Sequence, residues 1–297
     1  MSVDKGKKSS IDRGLRNTVL DGRVLPPKIT AEFLKHFPSL PVTKGDLLVC
    51  AYPKSGTTWV EEIVWQLHHD GKLDDRPTFV RIPFLEIQPS AGVGPEIEKV
   101  DKLVQEHKPR IFKSHFGYDI IPKGNAGDDR PKYVCVMRNP KDVAVSLFHF
   151  YRGIHHILYE GTWDEFFELF IKGDVLYGSW FDHVLSWWEH RDDPNVLLLK
   201  YEDMVKDRLG AIKQIASFVD KNISPDLVQL VADQTSFDAM KDMPMFSLKG
   251  FYKETEKFMR KGKVGDWVSY FSREQSERLD AIYNERIRET GLEFDFQ

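Results

Sequence analysis

Between residues 46 and 67 an unbroken apolar run, DLLVCAY, stops at Pro53 and turns through Lys54-Ser55-Gly56. It then enters a segment with Trp59, Val60, Ile63, Val64 and Leu67 at helical spacing. A strand with no polar face must be covered on both sides, which flanking helices provide and a one-sided sheet does not. RIFKSH (110–115) reads as a second strand, and KYVCVMR (132–138) and NVLLLKY (195–201) share the apolar character of the first. The last two lead into the helical patterns DVAVSLFHFY and KDRLGAIKQIASFV. Strands alternating with helices predict right-handed crossovers and an α/β fold. The expectation is a single domain over 25–297, a central, mainly parallel sheet flanked by helices, whose first strand–loop–helix is P-loop-like. Residues 1–24 have little apolar periodicity and are expected to be a loosely held, flexible arm. In such sheets ligands sit beyond the C-terminal strand ends, where the informative motifs of this chain begin.

YPKSGTTW (52–59) does not follow the nucleoside-triphosphate loop G-x-x-x-x-G-K-[ST], because Lys54 precedes Ser55 and Gly56. The parts that hold an anion are nevertheless present. Gly56 lets the backbone turn without a Cβ clash. Thr57 and Thr58 place hydroxyls at a helix N-terminus, where unpaired N–H groups and the dipole attract negative charge. Lys54 adds a point charge. An ordinary Pro-Ser-Gly turn with a threonine cap uses the same residues, so the loop alone does not name the anion.

FKSHF (112–116) sets Lys113 and His115 on one side of a strand, since side chains repeat every second residue. Imidazole, with an ordinary pKa of ~6.5, can be neutral and basic at physiological pH. The chain has ten histidines, and a silent one at a strand end reads the same way. VMRNPKDVAVS (136–146) offers Arg138, whose planar fork suits phosphate, and Ser146 further along the next helix; a capping Asn-Pro turn beside a salt-bridged arginine is the alternative. FMRKGKVGDW (258–267) interleaves Arg260, Lys261 and Lys263 with Gly262, Gly265, Phe258 and Trp267, with Lys257 just before. Such a loop can wrap a phosphate and stack on a base. A solvated basic loop accounts for the cations but not for the interleaving.

Composition narrows the partners. At 41% apolar and 12% aromatic the 297 residues can pack a large core, and a net charge of −4 disfavours a surface that attracts nucleic acid as a whole. The first residues, MSVDKGKKSSIDRGLRNT, contain no apolar core of a secretory signal, and no run approaches the ~18 apolar residues of a membrane span. Cys50 and Cys135 each lie in an apolar strand run, as buried free thiols in a reducing compartment do. A soluble, cytoplasmic protein without nucleic-acid or membrane partners is expected. There is no convincing metal-ligand cluster. Asp203 in NVLLLKYED lies past the apolar run, behind Lys200-Tyr201-Glu202, and reads as structural rather than as a Walker B acid.

In this order along the chain, YPKSGTTW, RNPKDVAVS, YEDM and FMRKGKVGDW resemble the cytosolic sulfotransferases, from about residue 25 to the C-terminus. The resemblance implies that the anion is the 5′-phosphosulfate of 3′-phosphoadenosine 5′-phosphosulfate (PAPS), released as 3′-phosphoadenosine 5′-phosphate (PAP). It implies that Lys54, Ser55, Gly56, Thr57 and Thr58 cradle that end and that Trp59 borders the adenine. Arg138, Ser146, Arg260, Lys261 and Gly262 would hold the 3′-phosphate. Tyr201, Thr235, Ser236, Phe237, Met240, Phe258 and Met259 match positions lining the nucleoside. His115 matches the family's general base, and Lys113, Lys54 and Ser146 complete the expected catalytic group.

RIPFLEI (81–87) is similar to the family's acceptor-facing segment. Phe84 and Ile87, together with Lys113, His115, His149 and Phe150, are therefore expected to face a small acceptor, a hydroxyl or amine of a phenol, sterol or other flat compound. A sulfuryl group carries less charge than a terminal phosphoryl, so lysines can supply the stabilisation that Mg²⁺ gives in kinases, and no metal is implied. Two rivals remain: a small-molecule kinase, which lacks its Gly-Lys-Ser/Thr order here, and a non-catalytic nucleotide binder, which would not need the base. One departure concerns assembly. Where many members carry a dimer motif K-x-x-x-T-V-x-x-x-E, this chain reads VSYFSREQSE (268–277), keeping only Glu277. A monomer or weak homodimer is expected.

Overall fold

The computed structural model describes residues 18–20, 22–26, 29–87, 96–124, 130–155, 157, 159–246, 252–253 and 258–297. Two short strands, β1 (Thr18–Leu20) and β2 (Arg23–Leu25), pair antiparallel within the stretch expected to be a loose arm. Val24 and Leu25 are buried, and the Val24 carbonyl accepts from the Tyr177 amide at 2.7 Å. This end of the arm is therefore docked on the domain. Residues 1–17 and Lys257 lie outside the described residues.

The main sheet comprises β3 (Leu47–Ala51), β4 (Ile111–Ser114), β5 (Lys132–Met137) and β6 (Val196–Lys200), all parallel in the order β4-β3-β5-β6. Each falls inside one of the four expected runs. NVLLLKY ends one residue early as a strand, because Tyr201 opens the helix Tyr201–Lys206. The helix expected over KDRLGAIKQIASFV is interrupted at Asp207, whose side chain accepts from the Gly210 amide and caps a second helix, Arg208–Phe218.

Strand residues alternate between two cores. Leu48, Cys50, Phe112, Tyr133, Cys135 and Met137 face one side, packed with aromatics of the helices Pro140–Gly153, Trp163–Lys172 and Trp180–Trp188. Leu47, Val49, Ala51, Ile111, Val134 and Val136 face the other, against the helices Thr57–His68, Arg208–Phe218 and Pro225–Gln234. All five residues of β3 are buried, so neither of its faces tolerates a polar side chain. Burying one Leu or Val side chain contributes about 1.5–3 kcal/mol. Cys50 and Cys135 sit opposite each other in the β3–β5 register as free, buried thiols.

The chain runs from β3 outward to β4, then crosses back to β5 on the other side of β3. Connections therefore diverge at the C-terminal ends of β3 and β5, which opens a crevice there. Among the described residues no helix is long and apolar enough to cross a membrane, and no three His, Cys, Asp or Glu side chains group as a metal site would require.

Candidate active site

After β3 the chain turns sharply, the Ser55 amide donating to the Tyr52 carbonyl at 3.2 Å. Lys54 has φ 69° and Gly56 φ 111°, two left-handed residues within three. Such geometry is uncommon for lysine and is held only where the surroundings enforce it. A Cβ on Gly56 would stand 2.9 Å from Tyr201 Cδ2, so only glycine lets the loop lie this close to the tyrosine. The Thr57–His68 helix begins directly afterwards, with its unpaired amides beside the loop. Thr57 is buried, while Thr58 and Trp59 are half-buried. The Trp59 ring meets Tyr201 edge-on at 5.5 Å.

Arg138 follows β5 and lays its guanidinium 4.2 Å from the centre of the Tyr201 ring. It donates to the carbonyls of Lys54 and Lys263, at 3.5 and 2.9 Å, and pairs with Asp142 at 3.6 Å. Asn139 caps the Pro140–Gly153 helix by accepting from the Asp142 amide, and Glu202 accepts from both the amide and the side chain of Asn139. The Asp142 carboxylate reaches further, accepting from the amides of Gly265 and Trp267 at 2.9 and 3.1 Å. This one buried side chain thus ties the distant basic loop to the end of β5. Asp203 is exposed, and the buried acid after β6 is Glu202, already engaged by Asn139.

In the basic loop, Asp266 is buried and pairs with Arg260 and Lys261, each at 2.5 Å. Gly262, at φ 64°, presses against Phe237, where a Cβ would meet the ring at 2.1 Å. Lys54 donates to the Phe258 carbonyl at 3.4 Å, with its ammonium 3.9 Å from the centre of the Phe258 ring and 5.1 Å from that of Phe150. Burial, with Lys113, Arg138 and Arg260 nearby, lowers the Lys54 pKa from 10.5 to about 7. Four cations from four separate segments converge on this crevice.

His115 stands just past β4. Its Nδ1 lies 2.7 Å from the Ala51 carbonyl, an acceptor, so Nδ1 carries the proton and Nε2 keeps its lone pair. The ring meets Phe84 at 5.0 Å and Tyr177 at 5.3 Å, both edge-on. Burial and then the Lys113 charge push its pKa well below 6.5, which keeps the imidazole neutral. Lys113 pairs with Glu61 of the loop helix at 3.3 Å and lies 4.9 Å from the centre of the Phe84 ring.

The remaining expected residues are distributed less uniformly. Tyr201, Phe237, Phe258 and Phe150 stand around the crevice, Met259 is half-buried between Phe258 and Arg260, and Ser146 is half-buried on the Pro140–Gly153 helix. The Thr235 hydroxyl donates to the Val231 carbonyl, and Ser236 accepts from the Ala239 amide, so both serve helix ends. Met240 is buried. His149 lies 2.6 Å through Nε2 from the Tyr270 hydroxyl. Ile87 is exposed and, with Phe84, lines a groove of about 520 Å³ along the Ile97–Glu106 helix.

A polyanionic nucleotide fits these residues on an independent observation. Ser55 Oγ, Trp59 Nε1, Arg138 Nε, and Arg260 Nε and Nη1 are buried without hydrogen-bond partners among the described residues. Buried polar groups are normally paired, so these orphaned donors mark where an acceptor-rich ligand belongs. The orphaned oxygens beside them, on Glu61, Glu202 and Asp266, are on carboxylates already engaged by Lys113, Asn139, and Arg260 with Lys261. Glu61, Glu86, Asp142, Tyr177, Glu202 and Asp266 were not found by sequence reasoning. Only Asp142 had a signal: its position three residues after a capping asparagine.

A family model described as the sulfotransferase domain matches residues 44–291. Mouse sulfotransferase 1B1 is 40% identical over 273 residues, 89% of this chain and 88% of that protein. Human sulfotransferase 1C2 is 35% identical, over 96% of this chain and 97% of that protein. Among solved structures, mouse sulfotransferase SULT7A1 complexed with PAP is similar at a TM-score of 0.74 and 33% identity, covering 92% of this chain and 94% of that one. Retinol dehydratase in complex with androsterone and inactive cofactor PAP is similar at a TM-score of 0.79 and 26% identity, covering 90% and 87%.

Proposed function

The chain belongs to the sulfotransferase family and transfers the sulfuryl group of PAPS to a small acceptor, and from that premise we propose how its residues divide the work. PAPS supplies the sulfuryl group and leaves as PAP. Lys54, Ser55, Gly56, Thr57 and Thr58 hold the 5′ end, where Ser55 Oγ finds the partner it otherwise lacks. Arg138, Ser146, Arg260, Lys261 and Gly262 hold the 3′-phosphate, answering the orphaned guanidinium nitrogens. Trp59, Tyr201, Thr235, Ser236, Phe237, Met240, Phe258 and Met259 enclose the nucleoside, the two hydroxyl residues by shaping helix ends.

His115 takes the acceptor proton at Nε2. The Ala51 carbonyl fixes the tautomer, and the lowered pKa keeps that nitrogen unprotonated at neutral pH. Lys54 and Lys113 stabilise charge that develops on the transferring group and the departing oxygen. Phe84, Ile87, Phe150 and His149 border the acceptor, and the aromatic edges around His115 suit a phenol, sterol or other flat hydroxyl compound. The observation that carries this reading is the neutral, oriented His115 beside four converging cations with orphaned donors.

The deciding experiment is thermal unfolding with PAP against ATP plus Mg²⁺. A ligand at 100 times its Kd raises stability by about 2.7 kcal/mol. A shift with PAP alone, followed by turnover of a phenol or sterol panel, is expected. A shift only with ATP and Mg²⁺ would overturn the donor assignment.

We also place the protein in the cytosol, as a monomer or weak dimer. Val268 stands where the dimer motif has lysine, Ser272 caps its own Arg273–Arg286 helix, and Glu277 is bound by Arg273 at 2.7 Å. Sedimentation should show monomer at micromolar concentration; a tight dimer would contradict it.

A further inference from the structure

His115 lies one residue beyond the last pairing of β4 with β3, Ser114 with Cys50, so the sheet ladder does not hold its main chain. Glu86 does. Its Oε1 accepts from the His115 amide at 2.5 Å and from the Ser114 hydroxyl at 2.9 Å, and Ser114 Oγ accepts from the Phe116 amide at 3.1 Å. One buried carboxyl therefore anchors the backbone on both sides of the imidazole. The segment bearing it is itself fixed to β4: the Lys113 amide donates to Pro83, and the Leu85 amide donates back to Lys113, at 2.9 and 3.0 Å. Phe84, between them, puts its ring against His115.

We propose that Glu86 is a positioning residue, which aims His115 through the backbone and strengthens it as a base when it carries charge. This rests on His115 being the general base. An amide would satisfy the same two donors, so geometry alone does not explain an acid here. The second oxygen, Oε2, is buried with no hydrogen-bond partner among the described residues. Among the described residues, Lys113 from β4, Cys50 from β3 and Tyr177 from the turn before the Trp180–Trp188 helix are the ionisable groups that couple to the carboxyl. Burial raises the Glu86 pKa to about 7, against the His115 amide, the Ser114 hydroxyl and Lys113, which favour the ionised form. Its negative charge thus appears as pH rises through neutrality at the His115 amide, and a negative charge held on that residue's main chain favours protonation of its imidazole.

The test compares Glu86→Gln and Glu86→Ala with the wild type and with His115→Ala, reading kcat, KM for each substrate, and the PAP-induced thermal shift. Rates are followed from about pH 5.5 to about pH 8.5. Glu86→Gln, which keeps the acceptor oxygen, should match the wild type at the acid end. It should fall roughly 3- to 10-fold behind at the alkaline end, the effect of up to about one pKa unit on the base. Glu86→Ala should lose about 10²-fold in kcat across the range while PAP still stabilises it. If Glu86→Ala does not fold, the pH-dependent gap in Glu86→Gln decides alone. A Glu86→Gln profile parallel to the wild type overturns the proposal, provided His115→Ala is inactive. Full activity in His115→Ala would instead remove the base assignment on which it rests.

Discussion

The two halves of the crevice manage charge in opposite ways. On the half proposed to take the donor, cations are held in place by anions of the chain itself: Asp142 beside Arg138, and Asp266 between Arg260 and Lys261. On the half proposed to hold the base, His115 is kept neutral by burial and then by the Lys113 charge, and is oriented by a carbonyl. A pocket for a fixed polyanion can be assembled in advance, because every ligand brings the same charges. A group proposed as a base must stay uncharged until the acceptor arrives, and here burial and the Lys113 charge outweigh the Ala51 carbonyl, which favours protonation.

The contrast predicts effects that separate by half. The largest should come from the base: His115→Ala is expected to lower kcat by roughly 10²- to 10⁴-fold and leave the PAP-induced thermal shift nearly intact. Loss of both together would mean that the halves are not separable. Next, Asp142→Ala should remove the ties to the Gly265 and Trp267 amides and the counter-charge of Arg138. It should cost roughly 3 kcal/mol in denaturant midpoints, through unpaired buried donors, and weaken PAP by at least about tenfold. Unchanged PAP affinity in titrations would show that the basic loop is organised without it.

Gly56→Ala is expected to cost about 1–3 kcal/mol for its left-handed backbone, more if Tyr201 cannot move. The loss should appear mainly in donor KM, since the Tyr201 ring borders that half; a pure kcat effect would move Gly56 to the base side. The smallest effect is a proton count. Free Lys54, at a pKa of about 7, is mostly neutral above neutrality, and a bound phosphate raises that pKa. The complex then holds more protons than the free protein, so PAP should bind with uptake of up to about one proton near pH 8. Calorimetry in buffers of different ionisation enthalpy measures it. Lys54→Met should abolish the uptake; its persistence would assign the proton elsewhere.

Much of the donor half was legible because its residues lie in contiguous motifs at strand ends, where the repeat of strand, loop and helix announces the fold. Lys54 to Thr58, Arg138 and the 260–262 stretch could be picked out as candidate phosphate ligands before any coordinates. The carboxylates that organise them could not. Asp142 and Asp266 act over sequence distances of 123 to 125 residues and of 5 to 6 residues respectively, and only Asp142 carried a local hint. Thr235, Ser236 and His149 matched expected positions, yet hydrogen bonds to Val231, Ala239 and Tyr270 define their immediate surroundings.

By itself the sequence determined the strands, because apolar runs of strand length with no polar face must be buried on both sides whatever the neighbours are. It also determined the turn and helix start after β3, the candidate anion loop, whose glycine is a local requirement of backbone geometry. Tertiary structure alone decided that β5 lies beside β3, which brings Arg138 to Lys54. It alone decided that Glu86 and Ala51 hold His115 from two directions. Such contacts depend on where separate segments meet in the folded core, and no spacing along the chain encodes the direction in which a buried carboxyl or carbonyl will point.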